Sequence, residues 1–259
     1  MKNVFLINPE TEMIPDAGIG NFIEGYSRKG ERVNYYIFVM ILIPVPGLYF
    51  VIEEIIHYFK TRNIVNSYYL YTNGFIYQKS DGNKILEQEV IDFNDCKGVS
   101  IAKTRTFTWF GIYNNTVVRF RVLSDAMKII FDQTSSYENK KEDPHKYNIC
   151  GTAFHAIIKR WNDIAIERFN HEFSEKGYGT FYSENGDIIQ VGKSFIKVNS
   201  AYADANTSKF GLNNGLLYIY RESVDGGSYE KNGLNIDVNN MFNSQVFLIA
   251  IHQLLGLGI

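Results

Sequence analysis

From residue 66 onward, apolar and polar positions fall into short β-rich runs separated by turn residues. Residues 67–72, 75–79 and 85–93 are rich in apolar, β-branched and aromatic side chains, with Asn73-Gly74 and Ser80-Asp81-Gly82-Asn83 between them. Asn-Gly and Asp-Gly pairs in that setting are the strongest short-range hairpin signal, because both residue types accept left-handed backbone cheaply. The pattern predicts an antiparallel meander that continues through 98–109, 116–123 and 127–133, with Asn114-Asn115 as a turn and a solvated linker over 135–146. A helix is predicted over 149–173. There Phe154, Ile157, Ile158, Trp161, Ile164, Ala165, Arg168 and Phe169 recur three and four apart, while Lys159, Arg160, Asp163 and Glu167 form a solvated face. Gly177 and Gly179 stop it.

The last third repeats this texture at smaller scale. Strands are predicted at 179–183, 188–191, 195–198, 215–220 and 234–238, and a final helix from Asn243 or Ser244 to Leu255. Asn73-Gly74-Phe75-Ile76-Tyr77 is echoed by Asn214-Gly215-Leu216-Leu217-Tyr218. The shared order of strands and then a helix is the better sign of repetition.

Residues 33–52 break the pattern. They carry no charge, and Glu53, Glu54, Lys60 and Arg62 follow closely. As a helix this run would rise about 30 Å, the thickness of a bilayer's hydrocarbon core. Its prospective membrane residues are Tyr35, Tyr36, Phe38, Ile41, Pro44, Pro46, Leu48, Phe50 and Ile52. Pro44-Val45-Pro46-Gly47 favours a turn or kink at its centre. Three placements follow: a kinked transmembrane helix, a re-entrant hairpin, and a helical hairpin buried in protein.

Composition narrows the picture only in places. A chain of 259 residues with 45% apolar content can bury one large core or two modest ones. The net charge of −2 gives no global basic field, so no nucleic-acid partner is expected, and any such site would have to be local. Two cysteines, Cys96 and Cys150, with no metal-ligand spacing point to a reducing compartment, and the N-terminus does not read as an export signal.

Catalytic signatures are missing. The histidines His57, His145, His155, His171 and His252 form no HExxH, and there is no GxSxG, P-loop or SxxK. No enzyme, metal or cofactor is expected. One local cluster has physical content: paired as a hairpin, 98–109 and 116–123 would gather Lys103, Arg105, Arg119 and Arg121 into a cationic patch with Trp109 at its end. Such a patch would attract anionic lipid at about 1 kcal/mol per charge.

The runs YLYTNGFIYQK, EVIDFNDCKGVSI, TVVRFRV and the closing helix resemble bacterial pleckstrin-homology-like (PH/GRAM-like) proteins, and NGLLYIYRE with NIDVNNMFNSQVFLIAIHQLL resembles them more loosely. The resemblance implies a small barrel or sandwich used for binding, often beside a membrane segment. It carries no catalytic residues.

The expected fold class is therefore α+β and sheet-dominated. A cytoplasmic segment (1–32) with at most one short strand precedes an apolar helix or hairpin (33–62). A PH-like meander or barrel closed by its helix (63–176) and a smaller β-plus-helix unit (177–259), itself a candidate second PH-like unit, follow. The expected function is a non-enzymatic, membrane-tethered scaffold at the inner leaflet, its globular part cytoplasmic, that recognises lipid headgroups or a protein partner. The alternative is a soluble cytoplasmic assembly protein with the apolar hairpin buried in its own core or in a partner interface.

Overall fold

A computed structural model describes residues 4–9, 14–29, 52–53, 56, 63–107, 111, 113–137, 149–222 and 229–256. The chain divides into two compact units, Met1–Asn94 with Lys141–Ala153, and Asp95–Lys140 with Phe154–Ile259.

The first unit is a five-stranded antiparallel meander. Strands β1 (Val4–Leu6), β2 (Phe22–Lys29), β3 (Ile64–Tyr71), β4 (Gly74–Asp81) and β5 (Lys84–Asp92) lie side by side in chain order. Local turn chemistry sets the hairpins. Tyr71 pairs with Gly74 across Thr72-Asn73, and Asp81 pairs with Lys84 across Gly82-Asn83, where Gly82 takes a φ of 57°. Ile7, Ile19, Tyr69, Tyr71 and Ile76 form a buried cluster on one face, joined by Ile14, Ala17 and Phe22. Phe75, Ile91 and Phe93 are buried on the other. β2 lies over this core because Gly25 is bare: an added Cβ would stand 2.9 Å from Ile7 Cδ1.

The second unit begins with β6 (Cys96–Phe107), β7 (Tyr113–Ser124) and β8 (Ile129–Tyr137), paired in that order. Helix α1 (Ile149–Lys176) has its first five residues in the first unit and the rest in the second. Phe154 of α1 stacks on Phe120 of β7 with ring centroids 4.5 Å apart, and Ile157, Trp161 and Ala165 extend the buried face. A four-stranded meander follows: β9 (Tyr178–Tyr182), β10 (Ile188–Gly192), β11 (Phe195–Val198) and β12 (Ala201–Asp204). A three-stranded one comes next: β13 (Ser208–Asn213), β14 (Leu216–Glu222) and β15 (Tyr229–Asp237). A 3-10 turn (Val238–Asn240) leads into α2 (Ser244–Leu255). The β13–β14 turn is Asn214-Gly215, both left-handed at φ 51° and 78°, the backbone a tight two-residue hairpin requires.

The segment between the 3-10 turn and α2 joins the pieces of this unit. Glu184 donates its N–H to Asn240 O (2.8 Å), Phe242 to Tyr182 O (2.9 Å) and Asn243 to Val99 O (2.8 Å), so residues 240–243 run between the end of β9 and the outer edge of β6. Asn243 adds its side chain: Oδ1 accepts from Val99 N (3.1 Å) and Trp161 Nε1 (2.6 Å), and Nδ2 donates to Lys97 O (3.2 Å). It is the N-cap residue of α2, yet its side chain makes no capping bond because it is committed to β6 and α1. Gly98 makes the approach feasible, since a Cβ there would lie 2.6 Å from Phe242 Cβ.

Several expectations need correction. No barrel closes: the described strands form four separate antiparallel meanders, each with free ends to its order. The expected closing helix is present, but the strands of 63–137 are shared between two sheets in two units, and the division falls at Asn94/Asp95 rather than near 62 and 176. The first described elements are strands, not an apolar helix. Among the described residues no helix is long and apolar enough to cross a membrane. Tyr35, Tyr36, Phe38, Ile41, Pro44, Pro46, Leu48 and Phe50 lie outside the described residues; Ile52 is helical and 49% exposed. The single-span placement also fails on topology. β2 and β3 are antiparallel neighbours with Lys29 opposite Val65, so the chain leaves and rejoins the sheet at one end. One crossing would separate those residues by roughly 30 Å.

If the 240–243 strip is held by its side chain as well as its backbone, Asn243→Gly should be costly although it permits the left-handed backbone. Val99 N–H and Trp161 Nε1–H would each lose an acceptor at about 1–3 kcal/mol, giving a total loss of about 2–6 kcal/mol in denaturant titration. Asn243→Ala should cost about 1 kcal/mol more, because a Cβ at positive φ is disfavoured. Wild-type stability in Asn243→Gly would show that the side chain holds nothing.

Candidate functional site

The sequence-derived cationic patch is split by the strand register. Lys103 stands opposite Val118 and Arg105 opposite Thr116, whereas Arg119 pairs with Ala102 and Arg121 with Ser100. Directly opposed residues share a face, so Lys103 and Arg105 lie on one side of the sheet and Arg119 and Arg121 on the other. The cause is a bulge. Thr106 faces Asn115 and Phe107 faces Tyr113, so Asn114 is an extra residue that shifts the pairing by one and flips the face. Trp109 lies outside the described residues.

The two arginines are also already engaged. Arg119 Nε donates to Asp132 Oδ1 at 2.9 Å on the exposed surface. Arg121, 8% exposed, forms a buried ion pair with Glu184, whose Oε1 accepts from Ser100 Oγ at 3.0 Å. Arg121 Nε is buried without a hydrogen-bond partner.

A different region has the geometry of a binding site. Between the C-terminal half of α1, the start of β6, β9 and the start of α2 lies a cleft of about 390 Å3. Its floor is apolar. Phe169 and Phe181 have centroids 5.6 Å apart, Phe181 meets Phe247 edge-on at 5.3 Å, and Phe169 fits against Gly179, where any Cβ would come within 2.1 Å of the ring. The thiol of Cys96 is fully buried at this floor, and burial in apolar surroundings makes a thiol unreactive.

The rim is polar, and most of it is occupied in holding the fold. Arg168 Nη1 donates to Cys96 O at 2.6 Å while its guanidinium lies 5.2 Å from the Trp161 ring centroid. Glu172 accepts from Thr180 N (3.0 Å), Thr180 Oγ1 (2.8 Å) and Lys176 Nζ (3.2 Å), tying the end of α1 to the outer edge of β9. That hydrogen bond raises the Lys176 pKa. Burial, then the Glu172 charge, raises the pKa of the Tyr182 hydroxyl and keeps it protonated. His171 lies 3.5 Å from Glu175, both side chains largely in solvent. Lys97 is different: its ammonium lies 5.9 Å from the Tyr182 ring centroid and makes no ion pair among the described residues. The cleft thus presents an aromatic floor, hydroxyl donors, one cation without an ion pair among the described residues, and the Asp125 carboxylate, whose charge also raises the Tyr182 pKa. Among the described residues no three His, Cys, Asp or Glu side chains are grouped to hold a metal.

Sequence reasoning did not single out this cleft. Arg168, Trp161 and Phe169 stood out as helix periodicity and Cys96 and His171 as isolated residues, but Lys97, Glu172, Thr180 and Tyr182 converge only through pairing of distant elements.

No protein-family model matches the chain, and no characterised protein matches it either.

The buried pair gives a direct test. Glu184→Ala should leave Arg121 charged and buried, costing about 3–5 kcal/mol, whereas replacing both residues by leucine should be near neutral or stabilising. A small loss in the single variant would mean water reaches the pair. At Asp132 the hydrogen bond from Arg119 holds the carboxyl pKa below its ordinary value. A depressed folded-state pKa stabilises above the unfolded value, near pH 4, and that contribution is lost as pH falls through the folded one. Arg119 is half exposed, so solvent screening limits the effect to under about 1 kcal/mol. Asp132→Asn should lower stability at neutral pH by that amount, leave it nearly unchanged below the folded pKa, and so flatten the acid limb of the stability profile.

Proposed function

We propose that the chain is a non-enzymatic binding module whose second unit holds the anionic group of a lipid headgroup or protein partner in the cleft beside Lys97. The observation that carries this reading is the arrangement of charge there. Arg168, Glu172 and Lys176 are spent on the fold, and Lys97 over Tyr182 is left to meet a ligand. The resemblance of the strand motifs to pleckstrin-homology-like proteins supports binding in preference to chemistry.

Attachment to the cytoplasmic face of the inner membrane forms part of the same reading and rests on the uncharged stretch 33–52. Because β2 and β3 are paired at Lys29 and Val65, that stretch must return to the side it left. A second reading, assembly through strand edges, is favoured by one observation. β5 pairs only with β4 among the described residues, and Ile85, Leu86 and Val90 are about half exposed on it. Long edge strands of that kind invite pairing with another chain.

Two measurements separate these readings. Flotation with vesicles containing phosphatidylglycerol, beside phosphatidylcholine alone and an acidic peptide, should show binding that Lys97→Glu weakens about thirtyfold, at roughly 1 kcal/mol per charge with a reversal counting twice. Equal binding by the variant would remove the cleft from the function. Sedimentation velocity of the full chain in mild detergent should show a monomer; a defined oligomer without detergent that Leu86→Lys dissociates would favour the assembly reading instead.

A further inference from the structure

The β9–β12 sheet has two unlike faces. Phe181, Ile189, Val191, Ile196 and Ala203 are buried on one. The alternate positions form the other: Thr180, Gln190, Lys197 and Tyr202 stand in one cross-strand row, Tyr178 faces Gly192, and Phe195 faces Asp204. Three rings from three strands meet there. Tyr178 is edge-on to Phe195 at 6.4 Å, and Phe195 is stacked on Tyr202 at 5.4 Å with planes 22° apart. Gly192 lets Phe195 lie over β10, since a Cβ at that position would be 2.3 Å from the ring.

Tyr202, on the edge strand of this sheet, is 48% exposed. Lys193 and Lys197 make no ion pair among the described residues, while the Asp204 carboxylate, which accepts from the Asn206 N–H at 2.8 Å, stands opposite Phe195 on the same face and offsets part of their charge. Aromatic rings on a sheet face, with two lysines against one carboxylate, match the chemistry of bases stacked in series and joined by phosphates.

We propose that this face of the β9–β12 sheet binds single-stranded nucleic acid, with Phe195 and Tyr202 stacking bases and Lys193 and Lys197 meeting the flanking phosphates. A duplex does not fit the same chemistry, because its base faces are already stacked on one another. The chain's net charge of −2 shows why the site is local: no general basic field adds to it. The inference goes beyond the cleft reading, and Phe195, Lys197 and Tyr202 do not line the cleft.

The test is fluorescence anisotropy of the full chain with a labelled oligothymidylate of about twelve nucleotides, at low salt. Binding should exceed that of a duplex of the same length, and its log–log salt slope should be about −1.4, for two phosphates neutralised on a single strand. Tyr202→Ala should weaken it about tenfold, Tyr202→Phe should retain it, and Lys197→Gln should flatten the slope. Ultraviolet crosslinking of the unaltered chain should place the oligonucleotide adduct on Phe195 or Tyr202, which needs no variant to fold. The proposal fails if the single strand does not bind, if duplex binds equally, if the adduct maps to another sheet, or if a neutral or anionic polysaccharide needs Tyr202 while the oligonucleotide does not.

Discussion

The outer edge of β6 is the constraint on which the second unit depends. Its backbone from Cys96 to Ser100 is largely buried, and among the described residues only β7 pairs with it as a strand. Buried N–H and C=O groups without partners cost about as much as lost hydrogen bonds, so this edge has to be satisfied by something other than a strand. Asn243 supplies both backbone and side chain to Val99 and Lys97, and Arg168 supplies Cys96 O. Because those partners belong to α2's start and to α1, satisfying one strand edge also fixes where both helices sit.

The same arrangement explains why the cleft exists. α1 is anchored at Trp161 by Asn243, at Arg168 by Cys96 O and at Glu172 by Thr180, so its last turns stand over the β9 edge with the Phe169–Phe181 floor beneath. Each anchor consumes a polar group. The architecture leaves cations and aromatic rings at the surface, in the cleft at Lys97 and Tyr182 beside Asp125, and on the outer face of β9–β12 at Lys197, Phe195 and Tyr202 beside Asp204.

Local chemistry was legible in the sequence and pairing was not. Gly82 announced its hairpin because left-handed backbone is a property of the residue itself, whereas Asn214-Gly215 reads only as the start of a strand until β13 is in place, and Leu255 and Gly256 mark the end of α2 as the apolar run predicts. β2 was hidden because FIEGYSRK carries Gly25 and charge and is a strand only through β1 and β3. β12 and β13 were missed for related reasons: AYAD is four residues long, and SKFGLN contains Gly211. The basic patch failed on a single residue. Without the bulge at Asn114, odd positions of β6 would face odd positions of β7 and the four cations would share a side. Nothing in the letters of 107–116 announces that extra residue, since a bulge is fixed by how two strands twist together.

Chain order then repeats in a way the short sequence echo only hinted at. β2–β5, β6–β8 and α1 are a four-stranded meander, a three-stranded meander and a helix, and β9–β12, β13–β15 and α2 are the same series again. The first series carries the long excursion over 30–63 between its first two strands, whereas in the second β9 and β10 are joined by the tight turn at Ser183–Asp187, bonded from Ser183 N to Asp187 O at 2.9 Å. An insertion at a hairpin end costs the sheet little, because loop closure grows only with the logarithm of length. The ladder from Phe22–Tyr71 to Lys29–Val65 stays intact across it. Whatever surroundings receive the uncharged stretch, the sheet requires that it be entered and left from one side, which ties any membrane contact to the β2–β3 end of the first unit.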